Sequence, residues 1–75
     1  MSEQVVIEAA ILAECSDRWQ KVAMVIVKAI EPKDVSDQQW DLHVAAIKSL
    51  VREGKLDALG DPSEPRHSEV RLSMD

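Results

Sequence analysis

At Gly54 the spacing of the apolar residues changes, and that change constrains the fold more than any other feature of the chain. Before it, Trp40, Val44, Ile47 and Val51 step by four, three and four residues with Leu50 beside them, which is one face of a helix. After it, Leu56 and Ala58 alternate with Lys55 and Asp57, and later Val70 and Leu72 alternate with Glu69 and Arg71, which is the period of a half-buried strand. Ser36-Asp37-Gln38-Gln39 reads as a capping box opening the helix, and Gly54 suits the left-handed stop that closes it, so a helix is expected over about 37–53. Strands are expected over about 55–59 and 68–72. They are separated by Gly60 to His67 (GDPSEPRH), whose prolines and glycine rule out a strand.

Charge selects the register of this hairpin. Pairing Asp57 with Arg71 sets Leu56 across from Leu72 and Ala58 across from Val70. A slip of two residues would instead oppose Asp57 to Glu69 and Lys55 to Arg71, two like-charge pairs that each cost up to ~1 kcal/mol. Two strands alone are unstable in water, so the Leu56, Val70 and Leu72 face must pack on the preceding helix.

Upstream, Val5 to Cys15 (VVIEAAILAEC) favours a helix over about 4–15, with a buried strand at Val5 to Ile7 as the alternative. Ser16-Asp17 offers an N-cap and an acidic first turn. Trp19, Val22, Ala23, Ile26, Ala29 and Ile30 then recur at helical spacing, giving a second helix over about 17–31 that Pro32 ends. Three helices followed by a two-stranded antiparallel hairpin is an α+β, winged helix-turn-helix-like order, in a single domain over 1–75. A chain this short buries only about 60% of its unfolded surface, which leaves little room for a deep cleft. With no Phe or Tyr, the core must be aliphatic, with Trp19 and Trp40 as its large pieces.

The segment DRWQKVAMVIVKAI, then AAIKSLVREGKLDALGD and RHSEVRL, resembles a small bacterial domain family of unknown function. In that family a W-x-K-V-A helix leads to a helix ending in L-V-x-x-G-x-L-x-A-x-G and to a terminal R-x-S-E-V-R-L strand. The likeness spans about Cys15 to Leu72, and the terminal strand is its most specific part. It implies a winged-helix-like fold in a bacterial protein and brings no catalytic residues.

Charge also bears on the function. The chain carries nine Lys and Arg against fourteen Asp and Glu, a net of −5, so nonspecific attraction to nucleic acid is not built in. From Lys33 onward, six basic residues face nine acidic ones, Asp75 included. Asp37 and Asp41 occupy the turns that a recognition helix directs at base edges. Lys48, Arg52, Lys55 and Arg66 remain the residues for a DNA-binding reading, as in a transcriptional regulator, if they form a local basic stripe. The N-terminal stretch has no basic leader and an acidic residue within its apolar run, so it reads as neither signal peptide nor membrane span; with a lone cysteine, the expected compartment is the cytoplasm.

Cys15, His43 and His67 have neither C-x-x-C nor H-x-x-x-H spacing, so no catalytic, metal or cofactor site is expected. Cys15 reads as a small buried residue, His43 as a solvated flank of the third helix, and His67 as a loop residue. Glu69 and Arg71 point outward from their strand and serve either as a cross-strand ladder or as a charged docking edge for a protein partner. The first helix is interrupted only by Glu8 and is apolar on more than one face, which suggests either homodimerisation through Val6, Ile7 and Ile11 or a looser chain end. Together these readings favour a non-catalytic protein-interaction module, with a DNA-binding regulator as the alternative.

Overall fold

The computed structural model describes residues 2–74; Asp75, counted above among the acids, lies outside them. Three helices and a three-stranded antiparallel sheet follow one another as α1 (Glu3–Glu14), β1 (Gln20–Lys21), α2 (Val22–Ala29), a 3-10 turn (Pro32–Asp34), α3 (Asp37–Arg52), β2 (Leu56–Leu59), a second 3-10 turn (Pro65–His67) and β3 (Glu69–Leu72). The sheet order is β1-β3-β2, so the last strand lies between the other two.

The α3–β2–β3 half follows the sequence closely. Ser36 Oγ accepts from the Gln39 amide at 3.1 Å, fixing the start of α3. Gly54 takes φ +80°, and with it the Gly54 amide donates to Val51 O (3.1 Å) and the Lys55 amide to Leu50 O (2.9 Å). That pair of bonds is a Schellman stop, which satisfies the last carbonyls of the helix. β2 and β3 pair as Leu56↔Leu72, Asp57↔Arg71 and Ala58↔Val70, the register favoured by charge, and Arg71 Nε stands 3.4 Å from Asp57 Oδ2.

The expected two-stranded hairpin is instead part of a three-stranded sheet, and the second helix is correspondingly shorter. Residues 17–21 are not helical: Ser16 Oγ accepts from the Arg18 amide at 3.2 Å in a local turn, and Gln20 and Lys21 pair with Val70 and Glu69. The competing principle is backbone satisfaction. The outer groups of β3 need partners, and β1, followed by the Val22 amide donating to Ser68 O (3.0 Å) and preceded by Ser16 O accepting from the Leu72 amide (2.8 Å), supplies them. The Gln20 side chain also closes the end of α1 by donating to Glu14 O at 3.2 Å. Helical spacing from Val22 onward survives, and Val22, Val25 and Ile26 are buried.

α1 packs on α2 and α3, and α3 packs on β2. The core between them is purely aliphatic: Ile7, Ile11, Val22, Val25, Ile26 and Ile30 from the first half of the chain meet Ala46, Ile47, Leu50, Leu56 and Val70 from the second. Neither tryptophan is inside it, contrary to the expectation that both would fill it. Trp40 packs against its rim, and Trp19 lies half-buried outside the sheet with the Arg71 guanidinium 4.4 Å from its ring centroid. An indole is too large, and its N–H too demanding, for a core this small. No helix among the described residues is long and apolar enough to cross a membrane.

Candidate functional site

The groups able to do chemistry are dispersed. Cys15 caps the C-terminus of α1 and is half-buried, and its burial, followed by the neighbouring Glu14 carboxylate, pushes its thiol up. Thiolate is therefore scarce at neutral pH. Iodoacetamide should alkylate Cys15 several times more slowly in the native chain than in urea-unfolded chain, with the gap narrowing as pH rises; equal rates at neutral pH would contradict this. The neutral thiol is the form the fold prefers, so the stability it contributes is present below the unfolded value and is lost as pH rises through the folded one.

His67 is exposed in the second 3-10 turn. His43 is not the solvated flank expected: it is only 4% exposed, and its Nδ1 donates to Gln39 O at 2.7 Å. The reason is helical spacing, since His43 shares the buried face with Ala46, Ile47 and Leu50. Among the described residues no group of three or more His, Cys, Asp or Glu side chains could hold a metal ion.

Two of the four candidate basic residues, Lys48 and Lys55, have an acid within reach. Lys48 and Arg52 lie on the exposed face of α3, but Asp61, on the β2–β3 loop, is within electrostatic reach of Lys48. The Ser63 amide, donating to Asp61 Oδ1 at 2.9 Å, and the Ser63 side chain hold that carboxyl below its usual range, and Lys48 pulls in the same direction. Lys55 Nζ is 3.6 Å from Glu53 Oε2. Arg66 is in the second 3-10 turn and lines a cavity with Trp40, and its carbonyl accepts from Lys21 Nζ at 3.3 Å.

Glu69 and Arg71 are not on an edge, because β3 is the central strand. Glu69 lies between Lys21 and Leu59, and Arg71 is taken up by Asp57 and Trp19, so a ladder accounts for both. Of the three residues expected at a dimer seam, Ile7 (6% exposed) and Ile11 (0%) belong to the core, whereas Val6 is 53% exposed. Helical spacing explains the split, because Val5 (50% exposed) and Val6 are turned away from the direction shared by Ile7 and Ile11, four residues apart.

That outer side of α1, Val5, Val6, Ala9 and Ala13, carries no charged residue, and α1 as a whole has Glu3, Glu8 and Glu14 but neither Lys nor Arg. From Val6 the apolar surface descends into a groove of about 190 Å³ between α1, the end of α2, the first 3-10 turn and the start of α3. Ala10, Ala29 and Ile30 line its floor, Glu31 and Asp34 stand at it, and Gln39 and His43 close it. A second surface surrounds Trp40, with an apolar hollow of about 190 Å³ on the Val27, Pro32 and Val35 side and a cavity of about 330 Å³ on the Pro65 side. Sequence reading finds the excess of apolar residues on α1 but not the groove, whose residues come from separate stretches with no local signature. No protein-family model matches this sequence, and no curated protein or solved structure is significantly similar to it.

Proposed function

We propose that the chain is a winged-helix-like domain of bacterial type that works in the cytoplasm as a non-catalytic protein-interaction module. The winged-helix reading is supported by the element order, helix, strand, two helices and two strands, and by the sheet order β1-β3-β2, in which the short first strand joins the last. The family resemblance of Cys15 to Leu72 points the same way. The observation that carries the interaction reading is the uncharged outer side of α1, where Val5 and Val6 remain half-exposed side by side.

The same side is where a homodimer would form, but each copy carries a net charge of −5 and α1 itself holds Glu3, Glu8 and Glu14 with no cation to offset them. A different protein is the better occupant. The test compares the native chain with a Val5→Asp/Val6→Asp variant, both substitutions being at exposed sites, as baits in extract from the native cell. A protein held by the first and lost by the second supports the proposal, and an identical set of retained proteins on both overturns it.

DNA binding is the second reading, favoured by Lys48 and Arg52 on the exposed face of α3. It is opposed by Asp37 and Asp41 in the first turns of that helix, by Asp61 within electrostatic reach of Lys48, and by the net charge of −5. Fluorescence anisotropy with a random duplex at about 20 mM salt, where phosphate contacts are strongest, should show no binding. Saturable binding that Lys48→Glu/Arg52→Glu abolishes would reverse the order of the two readings.

A further inference from the structure

The groove beneath Val6 is chemically asymmetric. Its floor is aliphatic, while every polar group named at its edge is an acceptor or can act as one. Among the described residues Glu31 pairs only with Lys33, at 3.6 Å between two exposed side chains, a contact of small net value that a better partner can displace. The Asp34 carboxylate makes no ion pair among the described residues.

His43 adds an independent indication. Its Nδ1 donates to a backbone carbonyl, so in the neutral ring Nε2 is left as an acceptor. Among the described residues that atom has no partner, yet none of their buried side-chain nitrogens or oxygens lacks one. Nε2 is therefore reached from outside, and for a ring only 4% exposed that lines this groove, the groove is the opening.

Resting on the interaction reading above, we propose that this groove receives a basic amphipathic segment of a different protein, an aliphatic side chain seated on Val6, Ala10 and Ile30 and an adjacent arginine or lysine held by Glu31, Asp34 and His43 Nε2. The occupant follows from charge. Negative charge and acceptors predominate at the lip, and a basic side chain supplies several donors together with a positive charge. A second copy of the chain, itself at −5, would be repelled, and so would a phosphate backbone or an anionic membrane. The groove holds a side chain rather than a whole helix, so the partner's remaining apolar residues extend over Val5, Ala9 and Ala13.

Two synthetic helical peptides of one length and one leucine face, flanked by arginines in the first and by glutamates in the second, provide the probe. They are titrated into the 15N-labelled full chain and followed by amide NMR. The arginine peptide should shift Val6, Ala10, Ile30, Asp34 and His43 saturably and bind at least about tenfold tighter than the glutamate peptide. The exposed-site variant Glu31→Gln/Asp34→Asn should remove most of that difference, and so should raising the salt. Equal binding of the two peptides, shifts centred on Trp40, shifts confined to Val5, Ala9 and Ala13, or no binding of either would each overturn the assignment. The bait comparison with Val5→Asp/Val6→Asp is judged separately, so a partner lost there while the peptides fail would leave the interaction reading standing without this occupant.

Discussion

Ile47→Ala should destabilise the domain by about 3–4 kcal/mol and lower its melting temperature by on the order of 15–20 °C, as read by thermal and urea unfolding. Ile47 is 0% exposed at the middle of α3, in the cluster where that helix meets Ile7 and Ile11 of α1 and Leu56 of β2. Truncation removes the transfer free energy of the lost methylenes and leaves a cavity that the surrounding elements can only partly close. A domain of this size has a total stability of about 5–10 kcal/mol, so the variant retains a small margin at best. Val27→Ala, on the exposed side of α2, serves as the control and should shift stability by less than about 0.5 kcal/mol. A cost below about 1 kcal/mol at Ile47 would mean that the aliphatic cluster is not where the fold gains its stability.

Gly60→Ala should be the second most damaging change, at about 2–4 kcal/mol, and its contrast with Gly54→Ala makes the cause visible. Both glycines have positive φ, +80° at Gly54 and +79° at Gly60, so each substitution incurs the left-handed penalty of roughly 1–2 kcal/mol. At Gly54 a new Cβ meets nothing within 4 Å. At Gly60 it would lie 2.9 Å from His67 O and 3.4 Å from Ser68 Cα and Cβ. These atoms cannot simply move aside. Ser68 is buried, its Oγ donates to Glu64 O at 2.9 Å, and its carbonyl accepts from the Val22 amide, so the strain passes into the start of β3 and the β1 junction. Urea unfolding of the two variants side by side provides the measurement. Equal losses would show that the β2–β3 loop absorbs the contact.

What could be read from the residues depended on how local the governing physics was. The cap at Ser36, the stop at Gly54 and the Asp57–Arg71 register each involve a few groups close in sequence or directly opposed, and each was legible. β1 was not, because two residues carry no period and Gln20 and Lys21 become a strand only by pairing with Val70 and Glu69 about fifty positions away. The helical spacing starting at Trp19 was a real pattern, but it was overridden at its N-terminal end by the backbone groups of β3. His43 was misplaced for a different reason. Its position relative to Ala46, Ile47 and Leu50 marked it as core-facing, while its polarity argued for solvent, and the bond to Gln39 O is what allows it to be buried. The groove at Val6 is assembled from residues between 6 and 43, and its only trace in the sequence is a first helix more apolar than a small core can absorb.

The position of β3 at the centre of the sheet has a consequence during synthesis. β1 and β2 do not pair with each other; each pairs only with β3, which comes last of the three in chain order. The helices can pack on one another as they leave the ribosome, but β1 and β2 have no strand to join until Glu69 to Leu72 have emerged. Completion of the sheet therefore depends on its last strand. A ribosome stalled with Leu72 still inside the exit tunnel would hold a chain whose β1 and β2 lack their shared partner, leaving the backbone groups of both open to proteases and chaperones.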